Sequence, residues 1–258
     1  MNPEFKDYFS VQAEDYSIYR PEYPTELYAW LASECRNTSL AWDCATGNGQ
    51  AAVALSQFFS YVIGTDASES QIYSAMIYPR VEYEVALAHQ SPLKDHSVDL
   101  ITVAQALHWF EFDLFFKEVE RVAKNDAVLA VWCYELHQIT PAVDQIISTY
   151  YESIVGEYWP QERKHIEQRY TTIDFPFTPI QAPNCTMKKQ WTLKHLIGYL
   201  GTWSATQKYM AENGTDPRNL ILQDLTAAWG DDETREVSWP VTIQTFRINP
   251  TEDTNNEN

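Results

Sequence analysis

Between residues 40 and 134 short apolar runs alternate with stretches in which apolar side chains recur every three or four positions. The runs are LAWDCA, YVIGTD, VEYEVALA, VDLITVAQAL and AVLAVWCY, and the periodic stretches are QAAVALSQFF, ASESQIYSAMI and FDLFFKEVERVAK. Runs of this kind predict strands and the stretches amphipathic helices, so the segment reads as βαβ units: an α/β, Rossmann-like layer around a parallel sheet. In the last helix Phe115, Phe116, Val119, Val122 and Ala123 share a face. Lys117, Glu118, Glu120, Arg121 and Lys124 take the other positions, so a single face is expected to dock on the sheet.

Upstream, Thr25 and Glu26 after Pro24 open a helix whose Leu27, Trp30, Leu31 and Cys35 share a face, and the segment before it is rich in tyrosine. Downstream, residues 140–235 read mainly helical with aromatic and proline punctuation, and strand character returns in CTMKKQW and VSWPVTIQTFRI. The polar end TEDTNNEN is expected to be disordered.

Composition narrows the partners. The 258 residues are 45% hydrophobic, ample for one large core. Eighteen basic against 36 acidic residues give a formal charge of −18, which argues against a nucleic acid or an anionic membrane and for a small molecule. Cys35, Cys44, Cys133 and Cys185 are widely spaced, so neither a zinc site nor a disulfide framework is expected. The N-terminus shows no leader pattern and no run is long enough to span a membrane, so the expectation is a soluble, cytoplasmic protein.

Chemistry concentrates in WDCATGNGQ, residues 42–50, where two glycines follow the first apolar run. A ligand approaches a βα turn closely only where side chains are absent, and Gly47-x-Gly49-x-x-Ala52 fits a dinucleotide loop as well as a tight turn that binds nothing. Asp66 ends the second run 23 residues after Asp43, where a carboxylate accepts both hydroxyls of an adenosine ribose. Asp43 favours a ligand without phosphates, since a carboxylate beside a pyrophosphate costs Coulomb energy; the competing reading of Asp43 is an acid at the start of the next helix. A NAD(P)-dependent oxidoreductase and a non-catalytic binder of the cofactor both stay open on these residues.

DCATGNG, VIGTD, VDLITVAQALHWF and the helix ending EVERVAK resemble the class I S-adenosylmethionine-dependent methyltransferases. The flanks YSIYRPEYP, YLGTWSA and VSWP resemble one branch, small-molecule enzymes similar to trans-aconitate methyltransferase. The resemblance implies S-adenosyl-L-methionine as cofactor and a seven-stranded sheet ending in an antiparallel hairpin. It divides a single domain, 1–250, into an N-terminal helical lid (1–37), a cofactor core (38–135), a mainly helical acceptor-side region (136–235) and a final strand (236–250), before a disordered tail (251–258). Asp43, Ala45, Gly47 and Gly49 match the loop around the methionine moiety, and Asp66 the acid on the ribose. Ala67, Ser68, Leu87, Ala88 and His89 match the adenine surroundings, and Gln105 the position facing the methyl group. Ala45 stands where glycine is usual, His89 where an acid is common, and Lys124-Asn125-Asp126-Ala127 replaces a proline-glycine-glycine turn, a change expected to affect only a loop.

On the acceptor side, His108 lies just past a strand end and is a candidate base or acceptor orienter; capping the turn is its other reading. Trp109 and Phe110 could wall the pocket or pack in the core. Arg20 is a candidate partner of the cofactor carboxylate, and Tyr19, Tyr23, Tyr158, Arg163, Arg169 and Trp203 are candidate acceptor contacts, with Trp159, Tyr170 and Ser204 in the same regions. The acceptor is expected to be a small molecule, a carboxylic acid among those allowed, and the protein a monomer or homodimer.

Overall fold

The computed structural model describes residues 19–248. Most of the tyrosine-rich N-terminal segment and the 251–258 tail lie outside the described residues.

Helix α1 (Thr25–Glu34) starts as expected after Pro24 and buries Leu27, Tyr28 and Leu31. It is followed by β1 (Leu40–Cys44), α2 (Gln50–Leu55), β2 (Tyr61–Asp66), α3 (Glu69–Tyr73), β3 (Val81–Val85) and β4 (Val98–Ala104). Then come a single tight turn of helix (Leu107–Trp109), α4 (Phe112–Val122) and β5 (Ala123–Tyr134). The two early helices are shorter than the periodic stretches suggest. In α3 the reason is local: the Ser74 hydroxyl donates to the carbonyls of Ser70 and Gln71 and closes the last turn.

Eight strands form one sheet in the order β3-β2-β1-β4-β5-β8-β6, with β7 also paired to β8. The first five are parallel, and β8 (Arg235–Arg247) runs antiparallel to β5. On its other edge β8 pairs with β6 (Thr178–Ile180) near one end and β7 (Cys185–Trp191) near the other. Pro183 lies between the two and has no N–H for the ladder, so one expected strand is interrupted and the sheet counts eight strands in seven positions. The terminal strands are antiparallel, but no tight hairpin joins them. Helices α7 (Leu193–Gly201), α8 (Ser204–Asn213) and α9 (Leu222–Trp229) intervene, after α5 (Pro141–Thr149) and the short α6 (Lys164–Glu167).

Alternation along β5 builds the core on both faces. Val128, Ala130, Trp132 and Tyr134 join the cluster with Leu27, Leu31 and Leu55, while Leu129, Val131 and Cys133 join the one with Phe115, Phe116, Val119 and Val122. Each of these large side chains contributes roughly 2 kcal/mol by burial.

The outward face of α4 needs correction. Glu118 is 6% exposed, because the helix-free connection 86–97 folds over α4 and turns the Ser91 amide and hydroxyl onto its carboxylate (2.7 and 2.6 Å). Arg121 adds two donors to the same carboxylate. The Lys124–Ala127 stretch also does more than change a loop. It bulges inside β5, with Asp126 at φ 61°, and sends Lys124 Nζ to Asp99 (2.8 and 2.9 Å). Asp99 accepts the Ser39 and Leu40 amides as well, which pins the start of β1 to β4 and β5.

Candidate functional site

Between β1 and α2 the chain reverses within five residues, and Ala45, Gly47 and Gly49 take left-handed conformations to do it (φ 55°, 56° and 85°). Gly49 is obligatory for a second reason: a Cβ there would lie 2.1 Å from the Tyr83 hydroxyl, which fills the space behind the loop. The turn leaves the Gly47 N–H pointing across to β2, where it donates to Asp66 Oδ2 (2.9 Å), while the Ser68 N–H donates to Oδ1 (2.9 Å). Two amides therefore fix the orientation of the Asp66 carboxylate, and the Ser68 hydroxyl caps α3.

Asp43 is elsewhere than expected. It is 1% exposed and lies behind the loop, with Thr46 Oγ1 donating to Oδ2 (2.6 Å) and Thr102 Oγ1 to Oδ1 (2.8 Å). Burial pushes its pKa up to about 6, against the pull of the two threonines and of the Ala52 amide in the first turn of α2. The cap position of α2 is Gly49, without a side-chain cap, so Asp43 is a buried anchor for the two threonines, and neither it nor Gly49 lines the cavity.

That cavity, about 760 Å³, opens over the C-terminal ends of β1, β2 and β4, where open α/β sheets bind ligands. Ala45, Gly47, Asp66, Ala67 and Ser68 form one end of its wall, and Leu87, Ala88 and His89 another. Gln105, Trp109, Tyr23 and Arg20 close the far side. Gln105, at φ 56°, is held by both ends of its amide: Nε2 donates to the Tyr134 carbonyl (3.2 Å) and Oε1 accepts the Tyr134 amide (3.0 Å). Arg20 donates to the Tyr134 hydroxyl (3.0 Å) and the Thr202 carbonyl (3.3 Å) and lies over the Tyr199 ring.

A smaller pocket of about 60 Å³ adjoins the first and shares Arg20, Gln105, Trp109 and Tyr134 with it. His108, Glu135, Trp159, Arg163, Tyr199, Trp203 and Ser204 supply its remaining polar and aromatic walls, Glu135 being paired with Arg169. Arg163 Nε donates to the Tyr151 hydroxyl (2.6 Å), and its guanidinium lies 4.0 Å over the Trp159 ring. Among the described residues only that nitrogen of Arg163 is engaged in a hydrogen bond. His108 is 7% exposed, with Nδ1 3.2 Å from the Tyr170 hydroxyl.

Three expected acceptor contacts fall outside both cavities. Tyr19 packs on Gly198 and His195. Tyr158 accepts from Asn213 and stacks beside Tyr209. Arg169 forms a surface ion pair with Glu135, with 62% of its side chain exposed. Conversely, Thr46, Asn48, Gln50, Gln71, Glu111, Tyr134 and Glu162 line the large cavity without having been singled out. Thr46 had a signal, its place three residues after Asp43; Tyr134 and Glu162 come from distant segments and had none.

The cavity fits an adenosine ligand that lacks phosphates. An oriented carboxylate faces it from β2, and Glu111 and Glu162 add two more acids to a lining whose one basic side chain besides histidine is Arg20, a balance that disfavours a pyrophosphate.

Comparison with known proteins agrees. The sequence profile of a family described as a methyltransferase domain matches residues 42–131. A protein of Dictyostelium discoideum assigned as a methyltransferase is 35% identical over 246 residues, covering 92% of this chain and 94% of that one. A Saccharomyces cerevisiae protein assigned as an S-adenosylmethionine-dependent methyltransferase is 22% identical over 175 residues, 62% of this chain and 60% of that one. The solved structure of an Anaeromyxobacter dehalogenans protein assigned as a type II methyltransferase superposes with a TM-score of 0.84 at 40% identity, covering 90% of this chain and 99% of that one.

Proposed function

The chain belongs to the S-adenosylmethionine-dependent methyltransferases, and from that premise we propose that it methylates a small-molecule acceptor held in the pocket walled by His108, Trp159, Arg163 and Trp203. It is an enzyme of that class, and S-adenosylmethionine is its cofactor. The observation that carries the acceptor reading is the shared wall: Arg20, Gln105, Trp109 and Tyr134 border both cavities, so a ligand in one meets a ligand in the other.

In this proposal Asp66 accepts the ribose hydroxyls, Leu87, Ala88 and His89 flank the adenine, and the Ala45–Gly47 backbone and Gln105 border the methionine end. The bound cofactor supplies a methyl group activated by its sulfonium. The chain's own work is then to orient the acceptor and keep water out, which is where in-line transfer gains most. Arg20 is already bound by Tyr134 and Thr202, so its role is to close the junction between the cavities rather than to grip a cofactor carboxylate alone.

For the acceptor we propose a carboxylic acid. The Arg163 fork, braced on Trp159, suits bidentate recognition of a carboxylate, and a carboxylate needs no proton removed before it attacks. The resemblance of the flanks to the trans-aconitate branch points the same way. The formal charge of −18 supports an acceptor that is not a nucleic acid, and the four free thiols suit a cytoplasmic enzyme. Among the described residues no helix is long and apolar enough to cross a membrane.

A thermal-shift titration tests the cofactor site: S-adenosylmethionine is expected to raise the melting temperature and NAD to leave it alone. Asp66→Ala should weaken S-adenosylmethionine binding by about tenfold or more, the loss of a charge-assisted hydrogen bond; an unchanged affinity removes Asp66 from the site. A screen of acidic metabolites for release of S-adenosylhomocysteine tests the acceptor class, with turnover confined to neutral acceptors counting against it.

A further inference from the structure

We infer that Tyr170 is a positioning residue that holds His108 in the neutral tautomer protonated on Nε2, so that His108 offers the acceptor a hydrogen-bond donor and not a base. The word acceptor rests on the function proposed above; the tautomer stands on local geometry alone.

The geometry begins with the Leu107–Trp109 turn. The first N–H groups of a helical turn have no partner within it, and here the later amides, of Trp109 and Phe110, bond back to Ala106 and Leu107. The Tyr170 side chain packs beside this turn, fully buried, and among the described residues its hydroxyl has one hydrogen-bond partner, the His108 ring. Burial drives that phenol well above its ordinary range and the Cys133 thiol adds to this, so it keeps its proton. A buried hydroxyl proton left without an acceptor costs about 1–3 kcal/mol, and His108 Nδ1, at 3.2 Å, is the acceptor in reach, so the phenol donates to Nδ1. Nδ1 is then the accepting nitrogen, and the ring's own proton sits on Nε2, the nitrogen left to face a ligand in the pocket that His108 lines.

The surroundings agree. Burial, the Arg163 charge and His165 push His108 down to about 3, and no carboxylate is among the groups acting on it. A base would have to become an imidazolium there, beside the Arg163 charge, while Glu135 on the same pocket is already paired with Arg169. The chain also adopts two successive left-handed residues, Arg169 and Tyr170 (φ 56° and 57°), in placing the fully buried Tyr170. Strain of about 1–3 kcal/mol per residue persists where the surroundings demand it.

The acceptor therefore meets two donors, Nε2–H of His108 and the Arg163 fork. A carboxylate matches both, whereas a hydroxyl or amine that must lose a proton finds nothing in His108 to take it.

Proton–nitrogen correlation spectra of ¹⁵N-histidine-labelled protein decide the matter without any substrate. The His108 ring, identified among the six histidines by its disappearance in His108→Gln, is expected to carry its proton on Nε2 and to stay unchanged between about pH 5 and 8. A proton on Nδ1, or titration in that window, overturns the inference. In Tyr170→Phe the tautomers should mix; a ring still locked on Nε2 removes Tyr170 from the positioning role. If that variant does not fold, the wild-type spectra still decide the tautomer. On an acid acceptor, His108→Gln keeps a donor near the Nε2 position and should lose less than about tenfold in kcat, against about a hundredfold for His108→Leu. Equal collapse of both variants overturns the donor role. Failure to find an acid acceptor would count against the proposed function and leave the spectra untouched.

Discussion

Ala45 sits at φ 55° inside the loop, where the side chain brings strain and no hydrogen bond. A left-handed alanine costs about 1–2 kcal/mol, and a glycine there gives back roughly 0.5–1 kcal/mol through unfolded-state entropy. Ala45→Gly should therefore raise stability by about 0.5 kcal/mol in urea unfolding, with S-adenosylmethionine affinity within about twofold of wild type. Asp43 has a pH signature. Its folded pKa, about 6, is above that of the unfolded chain, so its contribution is full below about pH 4 and is lost as pH rises through 6. Asp43→Asn, which does not titrate, should gain on wild type by on the order of 2–3 kcal/mol between about pH 4 and 7. Unfolding curves across that range measure it, and a constant difference would contradict the buried, raised acid.

At the scale of elements, Glu118 is the tie between α4 and the connection 86–97, and that connection carries Leu87, Ala88 and His89 to the cavity. Glu118→Ala leaves the Ser91 amide and Arg121 without their buried acceptor, and should cost about 2–3 kcal/mol. Hydrogen exchange should show protection lost first in 86–97, and S-adenosylmethionine affinity should fall as the wall proposed for the adenine loosens; an affinity unchanged despite lost protection would detach that wall from binding. Which elements were legible follows from the same contacts. β1, β2, β4 and α4 declare themselves because each is a continuous run whose period meets one neighbour. Asp43 was misplaced because spacing gives position and not direction, yet strand parity held the answer: Asp43 shares a face with Ala41, which packs in the cluster of α1 and α2. Glu118 was read as solvated because its partner lies in a loop with no periodicity.

The molecule as a whole divides by sequence distance. The cofactor half is built from turns that directly follow strands, so quoted motifs reach most of it. The half proposed for the acceptor draws Tyr134, Trp159, Arg163, Tyr199 and Trp203 from three separate segments, and no local pattern gathers them. Charge also acts at this scale. A formal −18 repels itself in the compact state, so salt that shortens the Debye length to about 4–5 Å should raise the melting temperature by a few degrees over a low-salt buffer. A melting temperature indifferent to salt would mean that the surface charges are already compensated.

The pairing of β7 with β8 ties off a long excursion of the chain. Trp191, the last residue of β7, is in register with Arg235, the first of β8. Everything between them, the segment that brings Tyr199, Trp203 and Ser204 to the small pocket, therefore leaves and re-enters the sheet at adjacent positions. The ends alone would admit another helical segment, but Leu196, Leu200, Trp203 and Trp229 are buried in the core shared with β5 and β8, so a graft that remodels the pocket has to bring its own apolar face to that core.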